Sequence, residues 1–171
     1  IILPGTKRTI KDLEWLKTQG FPLFLKETDT TVVAICGGYQ MMFEHIIDTH
    51  AVEADEPTRV RGVALLEGEV SFEKEKIVRK KTYPIFGLDI EGYEIHNGIT
   101  DSLSRDKEKF YGTFVHGLFD NDAFRQKLFS EVNPGYRGFD FQAYKKRSVV
   151  SFASHGEEHM DMHRLLKALH E

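Results

Sequence analysis

Residues 32–43 read V-V-A-I-C-G-G-Y-Q-M-M-F and contain the only cysteine of the 171-residue sequence. The apolar run over residues 31–35 predicts a short buried strand, and the two glycines after Cys36 suit a tight turn. A strand that delivers a reactive side chain to a turn before a helix is the pattern of a nucleophile elbow. A buried structural cysteine is the alternative interpretation, because a lone intracellular cysteine is most often inert.

The chain on either side of this elbow predicts a catalytic cysteine and its base. We predict a helix over residues 38–47, whose N-terminal N–H groups and dipole would favour a thiolate at Cys36. A second strand over residues 110–115 leads to His116. Because the carboxyl ends of neighbouring parallel strands meet at one sheet edge, Cys36 and His116 are predicted to lie together there.

The remaining pattern predicts an α/β domain. A strand over residues 1–3 and a loop over 4–7 precede a helix that starts with Thr9 and Asp12 as a capping box and ends at Gly20. Residues 62–97 are predicted to form a β-rich insert, with strands at 63–72, 77–83 and 93–96. Asn121 is predicted to cap a helix, followed by a loop at 133–138 and a closing helix at 157–170. This order indicates a flavodoxin-like three-layer α/β/α domain, with residues 1–171 as one domain.

Composition excludes several classes of protein. The net charge of −4 gives no basic surface for nucleic acid, and the run Arg79-Lys80-Lys81 follows acidic residues and is predicted to be solvated. No stretch is long and apolar enough to be a membrane span. One cysteine allows no internal disulfide and suits a reducing cytoplasm. No P-loop motif is present, so the sequence indicates no ATP site in this chain.

Four motifs resemble one family, in that family's order. They are L-P-G-T-K-R-T-I-K-D-L-E-W-L from Leu3, A-I-C-G-G-Y-Q-M from Ala34, G-Y-E-I-H-N-G from Gly92 and Y-G-T-F-V-H-G-L-F-D from Tyr111. They resemble the glutaminase domain of the cobyric acid synthases, a class I glutamine amidotransferase of the branch shared with the cobyrinic acid amide synthases. A glutaminase that serves a cell-wall ligase shares C-G-G-Y-Q, but P-G-T-K and G-Y-E-I-H are not expected in it.

The resemblance implies roles for five residues. Cys36 would be the nucleophile, His116 its base, and Gln40 a contact for the substrate glutamine. The backbone N–H groups of Gly37 and of Gly5, in the loop over residues 5–7, would form the oxyanion hole.

The sequence departs from the wider class in two places. Leu118 stands where the commoner triad has a glutamate, which fits this branch and implies a Cys–His dyad. Ala34 stands where the elbow usually begins with glycine. An ordinary strand histidine is at least as good an interpretation of His96 as a site residue, and His96 is not predicted to be catalytic.

The resemblance also implies a reaction and partners. Glutamine would be hydrolysed to glutamate and ammonia through a Cys36 thioester. The ammonia would pass to an ATP- and Mg²⁺-dependent synthetase region that amidates a corrinoid, adenosylcobyrinic acid a,c-diamide, in cobalamin biosynthesis in the cytoplasm. The family's first strand and helix are expected to precede Ile1. The alternatives are a glutaminase for another acceptor, cobyrinic acid or a cell-wall lipid intermediate, and a non-catalytic docking or regulatory module.

Residues 155–159 spell H-x-x-E-H, an inverted zinc-protease motif, and His163 continues the i, i+4 spacing. Only twelve residues follow, too few for the further ligand that such a catalytic site needs. The stretch also resembles the family's closing amphipathic helix, with Met160, Leu165, Leu166 and Leu169 directed inward. We therefore predict no functional metal, and at most adventitious binding.

Overall fold

A computed structural model describes residues 1–169 of the chain and divides it into two compact units. The first unit, Ile1–Leu118, contains both β-sheets, and the second begins at Phe119 and is helical. The single domain expected over residues 1–171 stays a prediction. His170, which the predicted closing helix included, lies outside the described residues.

The first unit alternates strands and short helices. Its helices are α1 (Thr9–Thr18), α2 (Phe21–Glu27) and α3 (Gly37–Gln40). Its strands are β1 (Ile2–Leu3), β2 (Val32–Ile35), β3 (His45–Asp48), β4 (Thr58–Arg61), β5 (Glu69–Ile85), β6 (Leu88–Ile99), β7 (Ser104–Lys107), β8 (Phe110–Thr113) and β9 (Val115–His116). A 3₁₀ turn, Leu118–Asp120, ends this part of the chain.

The two sheets differ in direction. The first has the order β1-β2-β8-β7, in which β1, β2 and β8 are parallel and β7 is antiparallel. The second has the order β4-β3-β5-β6-β9 and is antiparallel except for the β3–β5 pair. Parallel strands joined through helices define the predicted α/β class, which is confirmed.

The strand before the cysteine forms as predicted, but the helix after it does not. Val32, Val33 and Ala34 of β2 are buried, as a central strand requires. Helix α3 stops at Gln40, and residues 45–48 form strand β3 instead of the end of a ten-residue helix. Alternating burial in β3, with Ile46 and Asp48 inside, shows a period of two that overrides the apolar run's helical propensity.

Thr9 does not form the predicted capping box. Arg8 occupies the N-cap position of α1 without a side-chain cap, while Thr9 donates its N–H and its hydroxyl to Glu53, at 2.6 and 3.1 Å. The Asp12 carboxylate accepts the Thr6 hydroxyl instead. The predicted end of the helix is confirmed, because Gly20 adopts φ +71° directly beyond it.

Strands β5 and β6 form one long hairpin, where shorter strands were predicted. Ile85 and Leu88 pair across a two-residue loop in which Phe86 and Gly87 both have positive φ, as a type I′ turn requires. Residues 62–68 lie outside strands, so the strand predicted at 63–72 is wrong over most of its length. The register shifts between Phe72 and Ile77, which marks a bulge.

The second unit contains α4 (Asp122–Val132), α5 (Phe141–His159) and α6 (Met162–Leu169). Asn121 occupies the N-cap position of α4, as predicted, but its side chain makes no cap hydrogen bond; residues 133–138 are a loop, as predicted. The predicted closing helix is helical over most of its described length, but it is not continuous, because a break at Met160 separates α6 from the long helix α5. Arg125 ties this unit together through bonds to Asp122 and to the carbonyls of Phe119 and Phe139.

Candidate active site

Cys36 sits on a strained turn at the end of β2. Its backbone has φ +50° and ψ −111°, a conformation that a residue with a Cβ rarely adopts. Its N–H donates to the Thr113 carbonyl at 2.8 Å, and its own carbonyl accepts from the N–H of Gln40 at 2.9 Å. The first bond fixes the cysteine to the neighbouring strand β8, and the second starts α3, so the side chain is held on the crest of the turn.

Two glycines in the turn let the β1–α1 loop lie directly on the elbow. A Cβ on Gly37 would fall 2.6 Å from Thr6 Cγ2, and one on Gly38 would fall 2.4 Å from the Leu3 carbonyl oxygen. The N–H of Gly38 donates to the Pro4 carbonyl at 3.2 Å. The turn therefore needs glycine for close approach of backbone, at φ values that are not positive.

Gly5 stands between the predicted nucleophile and its base. A Cβ on Gly5 would lie 2.9 Å from His116 Cε1 and 3.3 Å from Cys36 Cβ. Strand β8 ends at Thr113, opposite Ile35, and His116 lies three residues further on, in β9 of the second sheet. The prediction that Cys36 and His116 would meet beyond neighbouring parallel strands agrees with this geometry. The strand predicted to run through residue 115 is nevertheless interrupted at Phe114.

These side chains line one cavity of about 530 Å³, a size suited to a small metabolite. Four of the five predicted site residues are in its wall: Gly5, Cys36, Gln40 and His116. Gly37 is not, but its N–H donates to the Cys36 sulfur. The wall also contains charged and polar groups that sequence reasoning did not select: Lys7, Glu53, Lys76, His96 and Asn97.

The expectation of a thiolate at Cys36 is wrong for the resting site. Burial raises the pKa of Cys36 to about 11, and the negative charge of Glu53 adds to this rise. The hydrogen bond from Gly37 and the charge of Lys76 act in the opposite direction but do not compensate. Helix α3 has only four residues, so its dipole is small. The sulfur points its proton toward the Ile95 carbonyl, 3.8 Å away.

His116 is in the state that a base needs. Burial lowers its pKa, and the neighbouring His96 lowers it further, so the ring is neutral near pH 7. The ring stacks on Tyr93 with centroids 5.0 Å apart and planes 9° apart. Within residues 1–169, its Nε2 atom is buried and has no hydrogen-bond partner. The orientation of His116 thus comes from stacking and from packing near Gly5, and the position of the missing glutamate is filled by buried Leu118.

Gln40 belongs to a buried polar chain that ends at a carboxylate. Thr9 Oγ1 lies 3.2 Å from Gln40 Oε1 and 3.1 Å from Glu53 Oε1, and its single proton is shared between these two acceptors. Gln40 is 2% exposed, so it is not the surface residue that its position on a short helix alone would suggest. These contacts connect the elbow with the half-buried Glu53, which also lines the cavity.

Glu53 owes its position to Asp48, which is fully buried at the end of β3. The Asp48 carboxylate accepts three backbone N–H groups, from Val52, Glu53 and Ala54, at 2.8 to 3.0 Å. Burial opposes its ionisation, but these hydrogen bonds prevail and lower the pKa of Asp48. Sequence reasoning missed both acids; the only local signal is an aspartate at the end of an apolar run before a loop.

The H-x-x-E-H motif does place its side chains together. Ligand atoms of His155, Glu158 and His159 lie within 4.8 Å of one another on an exposed surface of α5. His163 falls in the next helix, α6, outside this group. The apolar residues predicted to face inward are exposed instead, from 39% for Leu165 to 72% for Leu169.

A cysteine on a strained turn after a parallel strand, with a neutral histidine across a glycine, is the arrangement that a cysteine nucleophile and its base require on an α/β fold. Residues 1–124 match the CobB/CobQ-like glutamine amidotransferase domain. The chain belongs to this family, and the predicted class I glutamine amidotransferase fold is thereby confirmed.

Three relatives are similar over nearly the whole chain. The cobyric acid synthase of Acinetobacter baylyi is 40% identical over 173 residues, which cover 100% of this chain and 37% of the relative. The cobyric acid synthase of Cutibacterium acnes is 33% identical, covering 97% of this chain and 38% of the relative. That of Mycobacterium sp. strain KMS is 35% identical, covering 95% and 35%. The chain thus spans little more than a third of the length of these relatives.

Among residues 1–169, no helix combines the length and the apolar character that crossing a membrane requires.

Proposed function

We propose that the chain hydrolyses glutamine to glutamate and ammonia at Cys36 and supplies the ammonia to a synthetase. The observation that supports this most directly is the placement of Cys36 and His116 on either side of Gly5, in the wall of one cavity. The membership in a glutamine amidotransferase family supports the choice of substrate.

Proton transfer to His116 accompanies the attack of sulfur, because the resting group is a thiol. As the Cys36 sulfur bonds to the carboxamide carbon, its proton moves to the neutral His116 ring. The tetrahedral intermediate then expels ammonia, which takes that proton, and a γ-glutamyl thioester remains. Water next attacks the thioester while His116 accepts its proton, and return of that proton to sulfur releases glutamate.

The backbone N–H groups of Gly5 and Gly37 are proposed to hold the oxyanion. Gly37 N–H already donates to the Cys36 sulfur, so it needs little movement to reach an oxygen that forms beside that sulfur. Gly5 lies against both catalytic side chains. Each such donor contributes about 3–4 kcal/mol to stabilisation of the transition state.

The charges of the cavity wall match the zwitterionic end of glutamine. Glu53 suits the α-ammonium group, and Lys7 and Lys76 suit the α-carboxylate. Gln40, fixed by Thr9, is proposed to contact the substrate between these ends. Pairing of Glu53 with an ammonium group would also offset the negative charge that helps to raise the pKa of Cys36. Binding of glutamine would therefore lower the pKa of Cys36 and favour the attack of its sulfur on the substrate.

The acceptor of the ammonia is proposed from the relatives. They are cobyric acid synthases, and more than half of their length lies outside the match. We place an ATP- and Mg²⁺-dependent synthetase region there, with a corrinoid, adenosylcobyrinic acid a,c-diamide, as acceptor in cytoplasmic cobalamin biosynthesis. This chain has no P-loop motif, so none of its residues is assigned to ATP or Mg²⁺.

A glutamine-like electrophile, such as a diazo-ketone analogue of glutamine, tests the nucleophile. Peptide mapping should find the adduct on Cys36, and glutamine should protect against it. Cys36→Ser should fold and lose both labelling and glutamate release. Labelling elsewhere, or glutamate release that survives Cys36→Ser, would refute the assignment. Absence of both activities in the full enzyme would favour a docking module.

A further inference from the structure

A second pair of titratable side chains lies buried at the cavity wall, on β6. Glu94 and His96 are 4% and 5% exposed. His96 Nε2 is 3.1 Å from Glu94 Oε2, and His96 Nδ1 is 2.7 Å from the Gly98 carbonyl oxygen. The proposed hydrolysis uses neither residue.

The partners of the His96 ring determine how many protons the pair holds. A carbonyl oxygen only accepts, so Nδ1 must carry a proton to bond Gly98. A carboxylate also only accepts, so Nε2 must carry a second proton if Glu94 is ionised. The contacts are thus satisfied by an imidazolium beside a carboxylate, or by a neutral ring beside a protonated Glu94. A neutral ring beside an ionised carboxylate would leave one contact without a hydrogen.

Two features favour the charged form. The Tyr83 hydroxyl also hydrogen-bonds Glu94, and a second donor favours a carboxylate. The His96 ring lies flat on Phe114, with centroids 4.0 Å apart, and a positive ring over an aromatic face is electrostatically favourable.

The pair and His116 lie on neighbouring strands of the second sheet. Strand β6 pairs with β9, so that Glu94 lies opposite Val115 and Tyr93 lies opposite His116. Phe114, which supports the His96 ring, is two residues before His116. Both histidines are in the wall of the same cavity.

We propose that Glu94 and His96 are a positioning pair, in which the Glu94 carboxylate keeps the His96 ring protonated and the positive charge of that ring, in the same cavity wall as His116, keeps His116 unprotonated as the base. The proposal rests on the function proposed above. His96 is not catalytic itself, because both of its ring nitrogens are occupied by Glu94 and Gly98. The pair acts on His116 electrostatically. In the commoner triad, a glutamate at the position of Leu118 takes the place of this pair.

His116 has several titratable and charged neighbours. Its titratable and charged neighbours in the cavity wall and in contact with its ring are Lys7, Cys36, Glu53, Lys76, Tyr93 and His96. After burial, the charge of His96 is what lowers the pKa of His116.

The first test reads the His96 ring in the unmodified chain. Nitrogen NMR of the assigned ring at pH 7 should show both nitrogens protonated. A neutral ring with one protonated nitrogen would overturn the proposal. This experiment needs no activity, so its failure is distinct from failure of Cys36 to label.

The second test measures the titration of His116 by NMR in three variants. Glu94→Gln and His96→Gln both remove the charge from position 96 and keep polar side chains; each should raise the His116 midpoint by roughly one pH unit, within the ordinary spread for histidines. Asp89→Asn is the matched control, because it removes a carboxylate from an exposed position of the same strand, away from the residues that pair with β9, and it should leave the midpoint in place.

A purely structural role predicts the reverse pattern. Glu94→Gln and His96→Gln would then lower the free energy of unfolding without moving the His116 midpoint, and this result would overturn the proposal. In the complete enzyme, the acidic limb of the pH profile of kcat/KM should move upward by the same amount in Glu94→Gln, because His116 must be neutral to accept the thiol proton.

Discussion

Asp48→Asn tests whether one buried carboxylate holds the wall of the site. Asp48 Oδ1 accepts the N–H of Val52, and Oδ2 accepts those of Glu53 and Ala54. An asparagine has one carbonyl oxygen, so it can replace only one of these two acceptor atoms. Its NH₂ group must then face at least one backbone N–H, donor against donor, in a site with no exposed surface.

The expected loss follows from the number of bonds. A hydrogen bond to a charged group contributes about 1.5–3 kcal/mol, and the substitution removes one and weakens the others by removing the charge. The free energy of unfolding should therefore fall by about 2–4 kcal/mol at pH 7. Urea denaturation followed by fluorescence of the single tryptophan, Trp15, reports on the first unit. Hydrogen exchange should also accelerate at the amides of Val52, Glu53 and Ala54.

The loss should depend on pH in a defined direction. The folded state lowers the pKa of Asp48, so its stabilising contribution is complete above the unfolded value of about 3.9 and disappears as the pH falls through the lower folded value. Asparagine does not titrate. The difference between the wild type and Asp48→Asn should therefore be largest at neutral pH and should shrink below about pH 4.

Asp55→Asn is the matched control in the same loop. Its side chain is 97% exposed and lies 3.9 Å from Lys11, so the same change of charge should leave stability nearly unchanged. Equal effects of the two substitutions, or an Asp48→Asn loss that does not shrink in acid, would refute the reasoning.

Three further predictions concern the cavity. Gly5→Ala places a Cβ 2.9 Å from His116 Cε1 and should slow glutamate release by about 100-fold, since displacements near 1 Å have such effects; unchanged turnover would contradict the placement of the base. Glu53→Gln should raise the KM for glutamine, yet it should speed alkylation of Cys36 by iodoacetamide at a fixed pH, because burial and then the charge of Glu53 raise the pKa of that thiol; slower alkylation would count against this account. Leu118→Glu should not raise glutamate release and should cost several kcal/mol of stability, because position 118 is 1% exposed; a gain would show that the site accepts a triad.

The elbow could be predicted from the sequence because its cause is local. A buried strand, one cysteine and two glycines are contiguous, and the structure shows the strained turn that they suggest. Cys36 and His116 could be paired because strand ends meet at a sheet edge, although 80 residues separate them in the sequence. The prediction of a thiolate was wrong because burial has the largest effect on the pKa of Cys36, and burial depends on the fold and not on the local sequence.

The rest of the site depends on contacts between distant segments. Glu53 and Asp48 are ordinary acids in the sequence, and only the fold shows that one fixes the loop that carries the other. Strand β5 was divided in prediction because the charged residues 73–76 interrupt its alternation at the bulge. Nothing in the sequence distinguishes His96 from an ordinary strand histidine. Its contacts with Glu94 and Gly98 matter because the even-numbered residues of β6 are buried, and this burial depends on the fold.

The β5–β6 hairpin has a consequence for the order of folding. Its strands are joined by a two-residue turn, so its many pairings close short loops, whereas β1, β2 and β8 join segments far apart in the sequence. Local pairings cost less chain entropy and form sooner than distant parallel ones. The β5–β6 hairpin, which carries Glu94 and His96, should therefore form before the contact between Cys36 and His116. A partly folded chain would then contain a Cys36 thiol without its base. The active site would be complete only after the parallel strands, which pair most slowly, have come together.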